Sequence, residues 1–184
     1  MNTTLNRFNA VSALATSVLM ALAAFTAIMT YPTHKPSGRV AIKELEVVKG
    51  RLEWHMDNRV QDFMKVSFDI DADFTSLFNW NTKQVFLSLV AEYPTKRHEL
   101  NQVVLWDRIV RSKQDANVNL LDATNKYPFR EVSKNFANVN GSTFTLKWNT
   151  MPKVGILAYG DEQRTNEYSI PARLQRDGIA ELYF

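Results

Sequence analysis

The chain of 184 residues has no cysteine, which excludes disulfide bracing, thiol nucleophiles and cysteine-ligated zinc. Glycine is scarce, with only 6 residues, so no glycine-rich loop is available to cradle a phosphate. No serine lies in a GxSxG elbow, and the 3 histidines, His34, His55 and His98, belong to no HExxH pattern. They read as surface residues. A triad dispersed along the chain leaves no local signature, so an autonomous hydrolase is kept only as an alternative. Long runs of one charge are also missing. The formal charge of +3 is spread over pairs such as Lys43 and Glu44 or Lys96 and Arg97, and nucleic acid, which asks for a basic stripe, is not an expected partner.

What the chain does have begins at its N-terminus. No residue from Phe8 to Thr33 is charged, and Ala10 to Tyr31 is mostly Ala, Leu, Val, Met, Ile and Phe. As a helix those residues would extend roughly 33 Å, close to the thickness of a bilayer's hydrocarbon core. Thr16, Ser17, Thr26 and Thr30 can turn their hydroxyls back to carbonyls of the preceding turn. Pro32 ends the helix, and Tyr31 stands where an interfacial aromatic belongs. The expected division is a tail over 1–9, a span over 10–31, a linker over 32–39 and a domain over 40–184.

A cleaved secretory signal is the competing reading, with Ala21-Leu22-Ala23 as a small-x-small site. The apolar stretch, however, continues past Ala23 without a polar c-region, which favours an uncleaved anchor. Orientation is less direct. Only Arg7 and the amino terminus precede the span, whereas Lys35, Arg39 and Lys43 follow it, a tally slightly against a translocated domain. Long domains cross largely regardless of charge, so the expected arrangement is a cytosolic tail and a lumenal domain, with the lipid bilayer as one partner.

Beyond the span, period two dominates. In MKVSFDIDAD, Met64, Val66, Phe68, Ile70 and Ala72 share one face, and Asp69, Asp71 and Asp73 the other; STFTLKWNT alternates likewise through Phe144, Leu146 and Trp148. QVFLSLVAEY and NQVVLWDRIV are apolar on both faces apart from Ser88, so they should lie centrally in a sheet or beneath a partner. Weaker strands are expected at Val40–Val48, Val118–Leu121, Val154–Tyr159 and Glu167–Ile170, and a turn at Gly160–Thr165. The fold class that follows is all-β, an antiparallel β-sandwich preceded by one N-terminal transmembrane helix.

The three aspartates could attract a divalent cation, but the glycine and glutamate of an EF-hand loop are replaced by Phe74 and Trp80, so they read as a solvated strand face. No metal or other cofactor is expected. Asn140-Gly141-Ser142 is an N-glycosylation acceptor in an expected turn; Asn2-Thr3-Thr4 matches too but would lie on the cytosolic side. Trp148 has inward phase. Leu105 and Trp106 are adjacent on one strand, so one of them should look outward, and an outward Trp suggests a covered surface or a glycan or lipid groove.

Three blocks carry a specific likeness: FDIDADFTSLFNWNTKQVFLSLVAEY (Phe68–Tyr93), NQVVLWDRIV (Asn101–Val110) and LKWNTMPKVGILAYG (Leu146–Gly160). Together with the N-terminal anchor and the sequon before FTLKW, they resemble the family of the non-catalytic third subunit of the eukaryotic signal peptidase complex. The resemblance covers nearly the whole chain. It implies a single-pass protein of the endoplasmic reticulum whose lumenal sandwich cradles a separate catalytic serine-protease subunit, beside the complex's other small membrane subunits. It implies no catalytic residue here. Candidate structural or partner-contact residues are Phe78, Trp80, Asn81, Lys83, Gln84, Trp106, Asp107 and Trp148, with Phe78 and Trp80 plugging the sandwich end and Asn79 and Asn81 capping the turn.

Overall fold

The structure is a computed structural model and describes residues 3–32, 35–51, 59–170 and 180–181. Helix α1, Thr4–Met29, opens on Thr3, whose hydroxyl accepts the amide of Asn6. It begins before Ala10 because nothing in Thr4–Asn9 breaks a helix, and it closes at Thr30, two residues before Pro32. The Thr16 and Ser17 hydroxyls donate to the Ser12 and Ala13 carbonyls at 2.9 Å each, so neither leaves a polar group unsatisfied. Among the described residues α1 is the one helix long and apolar enough to cross a membrane, and none of its residues is buried.

Nine strands follow among the described residues: β1 Ser37–Arg51, β2 Gln61–Asp73, β3 Thr82–Tyr93, β4 Asn101–Val110, β5 Asn117–Thr124, β6 Gly141–Pro152, β7 Ala158–Arg164, β8 Tyr168–Ser169 and β9 Ala180–Glu181. They form two sheets, in order β5-β2-β1-β9 and β4-β3-β6-β7, with β8 added to β6. All pairings are antiparallel except β1 with β9. The sheets bury the residues that alternation assigned to the interior. Val66, Phe68 and Ile70 from the first and Leu87, Leu89, Phe144 and Leu146 from the second are each at most 1% exposed. The antiparallel β-sandwich with an N-terminal apolar helix is therefore the observed fold.

Some local expectations are overturned. β1 begins at Ser37, opposite Asp73, inside the stretch read as linker. The apolar run Val154–Leu157 is not a strand: Gly155 has φ +123°, a left-handed turn that ends β6, and β7 starts at Ala158. Gly160–Arg164, expected as turn, is strand instead. Gly160 sits opposite Trp148, and a Cβ there would run into the indole, so this glycine serves close approach. On β4 the register shifts so that Trp106 faces Leu89 and Val104 faces Val90, leaving Leu105 as an extra residue. That β-bulge cancels the alternation: Leu105 is fully buried and Trp106 turns inward, edge-on to Phe68 with ring centroids 6.4 Å apart.

Candidate functional site

The chain crosses from the first sheet to the second at Phe74–Asn81. Phe74 and Leu77 are buried in a 3-10 turn over Thr75–Leu77, and Phe78 packs half-buried against the core. Both Phe78 and Trp80 are expected to pack into the sandwich end, and Phe78 has the core contact just described. Trp80 does not pack there; it is 69% exposed. The reason lies in its neighbours. Asn79 Oδ1 accepts the amides of Asn81 at 2.9 Å and Thr82 at 3.0 Å, which folds the backbone so that residue 80 projects from the tip.

The same asparagines join the sandwich to α1. Asn79 Nδ2 donates to the Thr30 carbonyl at 3.0 Å, satisfying an orphan acceptor at the helix end. Asn81 is 1% exposed; its Nδ2 donates to Thr30 Oγ1 and to the Val154 carbonyl, both at 2.7 Å, and its Oδ1 accepts the Val154 amide at 3.0 Å. Its own carbonyl accepts the Lys153 amide at 2.6 Å. One buried side chain thus holds three partners from two distant segments. Between them lies a small hollow lined by residues including Ala27, Thr30, Pro152 and Gly155. Lys83 is the bulged residue between Thr82 and Gln84 and is exposed, while Gln84 lies half-buried with Nε2 3.0 Å from Met151 Sδ.

The outward face of the second sheet carries mixed chemistry. Half-buried Phe86 on β3 pairs with Ile109 on β4, and Val90 pairs with Val104; Ile109 is 45% and Val104 42% exposed. Toward the far end, buried Glu92 accepts Lys147 and Arg164 at 2.9 Å each and Gln102 at 2.8 Å. The bulge leaves the Leu105 carbonyl free to accept the amides of Lys126 at 2.7 Å and Tyr127 at 3.0 Å, which closes the β4 edge.

Asp107 fastens that closure, accepting Lys126 Nζ at 2.7 Å and the Tyr127 hydroxyl at 2.8 Å. The Lys126 hydrogen bond, with help from Tyr127, holds the Asp107 carboxyl below the usual 3.8 and, reciprocally, Lys126 above its usual 10.5. The depressed acid contributes stability that is present above pH 3.8 and lost as pH falls through its folded value. The raised base contributes stability that is present below pH 10.5 and lost as pH rises further. Asp107→Asn is therefore expected to lower stability on the plateau between pH 3.8 and pH 10.5, leave it little changed at the extremes, and so flatten both limbs of the profile, measured by urea unfolding across pH.

The other sequence constellations take structural roles. Asp69 accepts the Asp122 amide at 2.7 Å and pairs with Lys43 at 3.0 Å; the former bond, then the latter, keep its carboxyl below the ordinary range. Asp73 caps the Thr75 amide at 2.8 Å, and no cluster able to hold a metal occurs among the described residues. His98 is exposed in a turn, while His34, His55 and Asn2 lie outside the described residues. Asn140 is exposed, on the segment entering β6 at the end remote from α1. Trp148 is 8% exposed, in the core. The joint with Thr30 escaped sequence reading; its only local signal was a pair of asparagines flanking an aromatic.

A protein-family model described as Signal peptidase subunit matches residues 1–173. Signal peptidase complex subunit 3 of Gallus gallus is 39% identical over 158 residues, covering 85% of this chain and 87% of its own length. Its Homo sapiens counterpart is 38% identical over 163 residues with the same coverage. The Saccharomyces cerevisiae protein of that name is 40% identical over 103 residues, covering 56% of each chain.

Proposed function

The chain belongs to the Signal peptidase subunit family, and from that premise we propose that its sandwich is a non-catalytic scaffold within the signal peptidase complex. It binds the separate catalytic serine-protease subunit and orders it at the lumenal surface of the endoplasmic reticulum membrane for signal peptide cleavage. The tail before α1 is cytosolic, α1 spans the bilayer, and the sandwich with Asn140 is lumenal. The docking surface is the outward face of β4 and β3. The observation that carries this reading is two apolar cross-strand pairs, Phe86 with Ile109 and Val90 with Val104, flanking Ser88 and Asp107 on the solvent side of a sheet whose other side already fills the core.

Affinity purification of the full chain in mild detergent tests the reading. A serine protease should co-purify, and Ile109→Asp should reduce its recovery by more than about tenfold, because a carboxylate buried without a partner is costly. The variant's circular dichroism should match the wild type, since Ile109 is half open to solvent. Recovery of the wild-type chain as a detergent-solubilised monomer would refute the scaffold. Topology has its own readout, an endoglycosidase-sensitive mobility shift abolished by Asn140→Gln.

A further inference from the structure

We propose that the β6–β7 turn and Trp80 form a second membrane contact, an interfacial anchor in which Ile156, Leu157 and Trp80 sit in the bilayer's headgroup and upper acyl region beside α1. Three independent features of the structure converge on it: exposure, height and rigidity.

The exposure is concentrated. Ile156 is 72%, Leu157 45%, Val154 41% and Trp80 69% exposed, an unusual density of large apolar side chains for two adjacent loop tips. The polar residue among them is Lys153, whose Nζ donates to the Trp80 carbonyl at 3.2 Å. An aromatic ring, aliphatic tips and one flexible cation is the composition that the membrane–water boundary selects: indole at headgroup level, aliphatics below, and an ammonium able to reach a phosphate.

The height is set by contact with α1. A Cβ placed on Gly155 would lie 2.9 Å from the Ala27 Cβ, so the turn rests directly against the helix side. Arg7 is the last charge before the span. From Ala10, where the span begins, a hydrocarbon core of about 30 Å at about 1.5 Å per residue takes up about 20 residues and ends near Met29, half a turn beyond Ala27. Residues 154–157 are therefore level with the lumenal edge of the hydrocarbon, continuous with the lipid-facing surface of the helix. An aqueous environment at that level is available only above it.

The rigidity comes from Asn81, which grips both the amide and the carbonyl of Val154 while holding Thr30. Turn and helix end are one unit, so a span inserted in lipid carries the turn in with it. Two points of attachment, helix and turn, then fix the sandwich's tilt as well as its height. The inference requires α1 to span the bilayer but is independent of which protein covers the β4–β3 face.

The absence of native cysteine makes the test direct. Full-length chains carrying Ile156→Cys, Trp80→Cys or Val132→Cys are labelled with an environment-sensitive fluorophore and reconstituted in phosphatidylcholine vesicles. Val132 is 93% exposed and follows Glu131, which bonds Tyr93 at the end of the sandwich remote from α1. Probes at 156 and 80 should emit to the blue of the 132 probe and be quenched several-fold more by lipids spin-labelled near the headgroup than by those labelled at the chain end. Emission like that of the 132 probe overturns the proposal. Blue-shifted emission that spin-labelled lipid does not quench also overturns it, by showing a protein neighbour in place of lipid. Solvent-exposed side chains are replaced in every case, and intact tryptophan emission from the remaining sites verifies folding.

Discussion

Asn81→Ala is expected to destabilise the sandwich by about 3 kcal/mol, roughly 1 kcal/mol for each hydrogen bond lost by a buried amide. Three bonds are at stake, to Thr30 Oγ1 and to the Val154 amide and carbonyl, and alanine replaces none of them. Relaxation that lets water reach Val154 would reduce the cost, and the side chain's burial at 1% exposure opposes it. Two measurements separate the consequences. Urea unfolding in detergent reads the stability. A spin-label distance between α1 and β6 reads the joint, and its distribution should broaden in the variant. Trp80→Ala, one residue away, should cost less than about 0.5 kcal/mol because its ring is mostly open to solvent. If Asn81→Ala were as mild as Trp80→Ala, the joint would not depend on this side chain.

The two substitutions also show what a sequence can reveal about this site. Local chemistry was legible: Asn79 and Asn81 stand at a turn, and Asn79 caps it by bonds to residues two and three positions onward. Asn81 works at separations of 51 and 73 residues, to Thr30 and Val154, and no periodicity encodes such partners. The alternation of β2 and β6 placed their core residues correctly because each strand keeps one face buried throughout. It failed where the backbone departs from period two. The extra residue Leu105 breaks the phase of β4, so the expectation that one of Leu105 and Trp106 looks outward fails: Leu105 is fully buried and Trp106 lies against Phe68. It failed again at Val154–Leu157, where hydrophobicity was read as a strand. There the apolar side chains are exposed beside the end of α1 and enter no protein core, so their hydrophobicity did not encode a buried strand.

Phe68→Ala is expected to cost about 3–5 kcal/mol, the range for truncating a fully buried phenylalanine. Phe68 has no exposed surface, sits on the central part of β2 between Ile42 and Ala123, and reaches across to the Trp106 ring of the opposite sheet. Against a typical total of about 5–15 kcal/mol, such a loss leaves the fold marginal. The edge-to-face contact accounts for about 1 kcal/mol of it, so a double-mutant cycle of Phe68→Leu with Trp106→Phe should return a coupling of that size. Trp106 is also the link to the proposed docking face. It is the residue after the bulge that sends Asp107 and Ile109 outward, and displacing it would shift β4 as a whole. Since a 1 Å error in placing a reacting bond can cost about a hundredfold in rate, a scaffold that positions a protease needs that strand fixed. Phe68→Leu, which keeps most of the volume, should therefore lower protease recovery more than its modest stability cost explains. Equal loss in a control such as Phe144→Leu, on β6 and away from the bulge, would show that stability alone is being read.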